Sequence, residues 1–299
     1  MSTAAFYAGR DFKVTHDQTV KVNDDELRYT VVGQGEPVLC IHCTTVADGL
    51  ITPLLTFCPQ LLEKYQFISY YRVGYNGSTR NRDSYTMEDM ADHARQVLDH
   101  VGVEKAHVLA YSFGGVIGFQ FLMAYPERAA SGLLLEPYLM REEPGNVTRN
   151  NEAIQRAFDR YAKGDKSTAA VNYMADVCGP SYLSSLDLTC PLDVWEWIDK
   201  TADTVFQVDF PALANWGFAM SRADSLAPAK PTMPVLSLMG EDSEASMPGF
   251  REIHHFLLDW LPQAERLGVK GVGHGLQIQD PVAVGTGIAE FLSRHPIGT

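Results

Sequence analysis

The sequence is short of long apolar runs, of cationic side chains and of cysteine, and each shortage removes a class of function. Its most apolar stretch, residues 113–125, falls below the roughly 20 residues needed to cross a bilayer and is interrupted by Gly114, Gly115 and Gly118. The first 17 residues contain no apolar core of the secretory kind, about 7–15 residues long. A cytoplasmic protein without a membrane segment is therefore expected. Lys and Arg number 24 against 37 Asp and Glu, a formal charge of −13. That balance repels nucleic acids and anionic lipid surfaces alike, so neither is expected as a partner. The five cysteines (Cys40, Cys43, Cys58, Cys178, Cys190) are odd in number and unpatterned, which points to a reducing compartment rather than a disulfide scaffold. The glycosylation sequons at Asn76 and Asn146 are read as chance matches. No internal repeat is present.

What remains is a chain of 299 residues, 45% apolar and 20% charged, enough to bury a large core. Residues 37–41, 67–71, 107–111, 132–135 and 234–239 are almost continuously apolar, the pattern of strands buried on both faces of a parallel sheet. Ahead of them, residues 12–22 and 26–32 predict an antiparallel hairpin at one edge. Between the runs lie amphipathic helices. Residues 87–101 place Met87, Met90, Ala91, Ala94, Val97, Leu98 and Val101 on one face, with Thr86 as N-cap and Gly102 as the stop. A helix over 247–261, a short strand near 267–270 and a last helix opened by Asp280-Pro281 complete the pattern. His93 and His100 read as solvated on their helix, and His254 and His255 as surface residues on theirs.

Strand–helix alternation of this kind predicts an α/β fold with a mostly parallel, doubly wound sheet. Residues 137–231 interrupt the rhythm: helical segments at 151–162, 167–176 and 191–201, aromatic side chains, and no buried strand. They are read as a helical lid inserted into a core made of residues 1–136 and 232–299. Tyr138, Trp195 and Trp216 are candidates to face a substrate.

Two residues carry the chemical signal. In Leu109-Ala110-Tyr111-Ser112-Phe113-Gly114-Gly115 a serine sits between a buried strand and a helix rich in small residues, the setting of a nucleophile elbow. So tight a turn requires small residues two before and two after the serine, here Ala110 and Gly114. A serine hydroxyl needs a base to take its proton. Among the nine histidines, His274 stands on a glycine-rich loop, Val272-Gly273-His274-Gly275, after the last strand and before the last helix.

With these residues in place the chain resembles the α/β-hydrolase family over essentially its whole length. The resemblance implies that the segment Ile41-His42-Cys43-Thr44-Thr45, after the third strand, supplies one amide of an oxyanion hole, at Thr44, and that Phe113 supplies the other. Cys43 stands where the family usually has glycine. Arg72-Val73-Gly74-Tyr75-Asn76-Gly77-Ser78 resembles the family's structural turn after the fourth strand. The family's usual acid lies three residues beyond a glycine after the seventh strand, where this chain has Ser243; Asp242 and Glu244 are one residue out of register. Some members carry the acid at the end of the sixth strand instead, and here Leu133-Leu134-Leu135-Glu136 ends in a carboxylate that is costly to bury without a cationic partner. Glu136 is preferred, with Asp242 as the alternative. The resemblance implies hydrolysis of a small, mainly apolar ester or lactone through an acyl-enzyme, with no metal and no cofactor. Carbon–carbon bond hydrolysis, lyase-like chemistry, biosynthetic acyl transfer or cyclisation, and a non-catalytic receptor role remain open alternatives.

Overall fold

The computed structural model describes residues 14–139, 146–179, 181–190 and 193–298. Its centre is an eight-stranded sheet: β1 (Gln18–Val22), β2 (Asp25–Gly33), β3 (Glu36–Ile41), β4 (Tyr65–Tyr70), β5 (Ala106–Tyr111), β6 (Ala129–Leu135), β7 (Val235–Gly240) and β8 (Ala264–Val269). Their spatial order is β1-β2-β4-β3-β5-β6-β7-β8. β2 runs antiparallel to both β1 and β4, and every pair from β4 to β8 is parallel. The expected edge hairpin is therefore present, its part before residue 14 lying outside the described residues.

Helices cover both faces. Along β5 the side chains alternate: Val108 and Ala110 pack with α2 (Met87–His100) and α3 (Phe113–Ala124), while Leu109 and Tyr111 pack with α1 (Ile51–Phe57) on the other side. α2 begins as its sequence dictates. The Thr86 side chain accepts from the Asp89 amide, and the Asp89 carboxylate accepts from the Thr86 amide, a reciprocal capping box.

Between β6 and β7 the chain runs through α4 (Asn146–Ala162), α5 (Lys166–Cys178), α6 (Tyr182–Thr189), α7 (Val194–Thr204), a π-helical turn (Val205–Asp209), α8 (Phe210–Asn215) and a 3-10 stretch (Met220–Ala229). This insertion is more helical than expected, and the proposed helix start at residue 191 lies outside the described residues. After β7 come α9 (Phe250–Trp260) and, past β8, α10 (Pro281–Arg294). α9 starts at Phe250 rather than at residue 247, because Pro248 and the left-handed Gly249 (φ 110°) interrupt the chain there. β8 is longer than expected and begins at Ala264. As an edge strand it keeps Glu265 and Arg266 in solvent contact, so its apolar signal is weak. No helix among the described residues is long and apolar enough to cross a membrane.

Candidate active site

β5 delivers Ser112 to the top of the sheet. The serine leaves the strand at φ 54° and ψ −117° and α3 begins at the next residue. A side-chain-bearing residue at such a φ is strained by about 1–3 kcal/mol, and neighbouring bonds must hold it. The Ser112 amide donates to the Leu135 carbonyl at 2.9 Å, and its own carbonyl accepts from Val116 and Tyr138. Gly114 is obligatory. A Cβ there would lie 2.3 Å from the carbonyl oxygens of both Ile41 and His42. Ala110 is tolerated for a reason that lies one helical turn further on: a Cβ on Gly118 would meet the Ala110 methyl at 2.5 Å. The methyl group of Ala110 thus fits because α3 presents a glycine opposite it.

His274 reaches the serine from the loop after β8. Its Nε2 is 2.8 Å from Ser112 Oγ and its Nδ1 is 2.7 Å from Glu136 Oε2. A carboxylate accepts, so Nδ1 carries the proton and Nε2 is left to accept from the serine hydroxyl. Glu136 sits directly after β6, at φ 39°. Its other oxygen, Oε1, accepts from the Gly240 amide at 2.7 Å and from the Ser243 hydroxyl at 2.6 Å. Serine, histidine and glutamate are all buried, His274 to 1% exposure. The imidazole is further fixed by the Phe250 ring, stacked on it with centroids 4.3 Å apart and planes 15° from parallel. Gly240 lets the histidine loop close in, since a Cβ there would lie 2.5 Å from the Gly273 carbonyl oxygen.

Facing the serine is the loop after β3. Thr45 is held at φ 68°, its amide donating to the Tyr75 hydroxyl at 3.2 Å. No acceptor among the described residues takes the Thr44 amide, and Phe113, as the first residue of α3, has no helical acceptor for its own. His42 closes the loop from beneath. Its Nε2 accepts from the Arg72 amide at 3.0 Å, so Nδ1 bears the proton and donates to the Cys43 carbonyl at 2.7 Å. Burial and then the Arg72 charge push the His42 pKa well below the usual histidine range, keeping the ring neutral. The Cys43 thiol is driven up to about 12, chiefly by burial, and is not a thiolate at neutral pH.

The chain is similar to known proteins over most of its length. A family model described as the alpha/beta hydrolase fold matches residues 37–281. The chain belongs to the alpha/beta hydrolase family. A candidate carbamate hydrolase named RutD, from Azorhizobium caulinodans, is 33% identical over 108 residues, which cover 36% of this chain and 40% of that relative. The solved esterase of Thermogutta terrifontis superposes with a TM-score of 0.74 at 21% identity, covering 93% of this chain and all (100%) of that one. The enol-lactonase of Burkholderia xenovorans LB400 gives 0.70 at 16% identity, covering 92% and 100%. At these identities the two structures speak for the shared fold.

Within this alpha/beta hydrolase, the residues expected from sequence fall into place unevenly. Ser112, His274 and Glu136 meet in one relay. Asp242 does not join it: it is exposed, and its amide donates to the Val272 carbonyl at the start of the turn that carries Ser243. Tyr138 lies beside the serine, its amide 3.3 Å from the Ser112 carbonyl and its ring edge-on to Phe250. Trp195 donates to Asp187, while Trp216 is buried against Phe119 and Phe218 and donates to Gln120 of α3. Two histidine expectations are corrected. His254 is 3% exposed and shares a 2.7 Å bond with Ser237, and His93 is 2% exposed, edge-on to Tyr85. Both sit at the margin of an apolar helical face, where a polar ring finds a buried partner.

Sequence reasoning missed Ser243, which it read only as the absence of an acid, and gave Phe250 no role. It also missed the buried pair Arg72–Asp209, formed by residues 137 positions apart.

Proposed function

We propose that this protein is a serine hydrolase that cleaves a carboxylic ester or lactone through an acyl-enzyme formed on Ser112. The observation that carries the reading is the buried relay from Ser112 Oγ to His274 Nε2 at 2.8 Å and from His274 Nδ1 to Glu136 Oε2 at 2.7 Å. Similarity to an esterase and an enol-lactonase supports the same class.

In this mechanism His274 Nε2 takes the serine proton as Oγ adds to the substrate carbonyl. The carbonyl π-electrons pass to oxygen, and the amides of Thr44 and Phe113 hold the resulting oxyanion, each worth a few kcal/mol in such a site. The imidazolium then protonates the departing alkoxide as the carbon–oxygen bond breaks. Water attacks the acyl-enzyme by the same route in reverse, returning the proton to Ser112. Glu136 keeps the proton on Nδ1 and offsets the imidazolium charge throughout. No step needs a metal or an organic cofactor.

The helices of residues 137–231 act as a lid over this site, with Tyr138, Trp195 and Trp216 as candidate contacts for an apolar acyl or alcohol group. A cytoplasmic setting is supported by the five cysteines, all free and buried. The test is labelling by a fluorophosphonate probe. The wild type is expected to be labelled and Ser112→Ala not; a wild type that resists the probe, or a Ser112→Ala variant that still takes it at the same rate, sinks the reading.

A further inference from the structure

The turn that precedes α8 buries a second charged group beneath the partners of the Thr44 loop, and nothing in the proposed mechanism uses it. Asp209, at the end of the π-helical turn Val205–Asp209, is 0% exposed, and Arg72, in the loop after β4, is 2% exposed. The guanidinium clasps the carboxylate with two bonds of 2.8 Å. Its remaining donors are spent on the loop that carries Thr44: Nε donates to the His42 carbonyl at 3.3 Å and Nη2 to the Cys43 carbonyl at 3.1 Å, while Nη1 also approaches the Met90 sulfur. All five N–H directions of Arg72 are thereby engaged, so it has none to offer a substrate.

Tyr75 makes the second link. Its hydroxyl lies 2.6 Å from Asp209 Oδ2, 3.1 Å from Thr44 Oγ1 and 3.2 Å from the Thr45 amide. The carboxylate can only accept, so the tyrosine proton points to Asp209, and the phenolic oxygen accepts from both threonines. Asp209 therefore sets the direction of the whole chain of bonds. It holds the carbonyls of His42 and Cys43 through Arg72, and the Thr44 hydroxyl and Thr45 amide through Tyr75. Thr45 sits at φ 68°, a conformation a β-branched residue keeps only under restraint. In this turn the Thr45 amide is taken by Tyr75 and the Val46 amide by the Thr44 carbonyl, while no acceptor among the described residues takes the Thr44 amide. The Arg72 guanidinium also lies over the Phe113 ring, 4.7 Å from its centroid, beside the second amide.

We propose that Asp209 is a positioning residue for the oxyanion hole: seated from the inserted helices, it fixes the Thr44 loop through Arg72 and Tyr75, so that docking of this insertion completes the catalytic site. The inference rests on the oxyanion role given above to Thr44 and Phe113. It implies that this protein, with the Asp209 contact removed, binds its ester and turns it over slowly.

The experiment compares wild type, Asp209→Asn and Tyr75→Phe with p-nitrophenyl butyrate as substrate and two inhibitors of equal chain length. One is a trifluoromethyl ketone, which adds to Ser112 and creates an oxyanion; the other is an unreactive N-alkyl amide. In each variant kcat is expected to fall about 10–100-fold with KM within threefold. Binding of the ketone should weaken in step with kcat/KM, while binding of the amide stays within threefold. A residue that merely supports the fold would lower Tm without separating the two inhibitors. Tyr75→Phe removes one hydroxyl and leaves the Arg72–Asp209 pair intact, so it decides the matter if Asp209→Asn does not fold. A Tyr75→Phe enzyme with wild-type kcat and ketone affinity overturns the inference while leaving the serine mechanism standing. A wild type that forms no adduct with the ketone overturns both.

Discussion

Replacing Glu136 by glutamine is the perturbation whose consequence follows most directly from the geometry. Glu136 Oε1 faces two donors, the Gly240 amide and the Ser243 hydroxyl, and Oε2 faces the Nδ1 proton of His274. Glutamine has one carbonyl oxygen and one NH2. With the oxygen toward Gly240, the NH2 group faces Nδ1, and the imidazole must move its proton to Nε2, where it can no longer accept from Ser112. With the oxygen toward His274, the NH2 group opposes the Gly240 N–H, leaving a buried donor unsatisfied at a cost of about 1–3 kcal/mol. The inactive arrangement is therefore favoured by roughly that amount. The carboxylate charge is lost as well, and with it an attraction to the imidazolium of about 4 kcal/mol at 4 Å and an effective dielectric near 20. Together these correspond to a fall in kcat of roughly 10⁴–10⁵-fold. Steady-state hydrolysis of p-nitrophenyl butyrate, with Tm recorded to exclude misfolding, measures it. Asp242→Asn serves as the comparison and is expected to stay within about threefold of wild type, as usual for an exposed residue outside the relay. A folded Glu136→Gln enzyme within tenfold of wild type, or a larger loss in Asp242→Asn, would refute the argument.

Other expectations follow from single contacts. Ser243→Ala removes one of the two donors on Glu136 Oε1, and kcat should fall about tenfold, the worth of one charge-assisted hydrogen bond at the lower end of its range, with KM unchanged; an unaltered kcat would show that the Gly240 amide alone suffices. Gly118→Ala drives a methyl group into Ala110 and should cost about 1–3 kcal/mol of stability by denaturant unfolding. Adding Ala110→Gly should return at least half of that loss, and a double variant no better than the single one would contradict the packing argument. Stability should also depend on pH through buried histidines. Burial lowers His42 and His93, and lowers His254 to about 4, with Arg266 and His255 adding to the effect on His254. Below about pH 6.5 the unfolded chain takes up protons that these rings refuse in the fold, so their contribution is present above 6.5 and fades as pH falls toward 4, by up to about 1.4 kcal/mol per unit for each ring. Chemical denaturation from pH 7.5 to 4.5 checks this, and stability that rises on acidification through that window would contradict it.

Much of the fold was legible because it is written locally. Strands buried on both faces appear as continuous apolar runs, Thr86 and Asp89 mark a helix start within four residues, and Ser112 is framed by its own small neighbours. The features that escaped depend on groups far apart in sequence. Ala110 meets the need for a small residue, but the room that Gly118 makes for its methyl group becomes visible only when α3 is laid on β5. Ser243 carries no acid, yet it reaches the same place from β7 that Glu136 reaches from β6. Periodicity sorts helix faces into apolar and polar, so it put His93 and His254 outside; a neutral ring with a hydroxyl or aromatic partner can sit at the buried margin. Nothing within a helix turn of Arg72 or Asp209 announces that they pair.

Acylation of Ser112 is the step on which the proposed mechanism stands, and the acyl-enzyme can be weighed. Acid quench of the enzyme within milliseconds of mixing with excess p-nitrophenyl butyrate, followed by intact mass measurement and peptide mapping, should find one butyryl group per chain on the peptide carrying Ser112. No adduct should form in Ser112→Ala. Turnover of the ester with no acyl group on Ser112, or with the acyl group on another residue, would contradict the account.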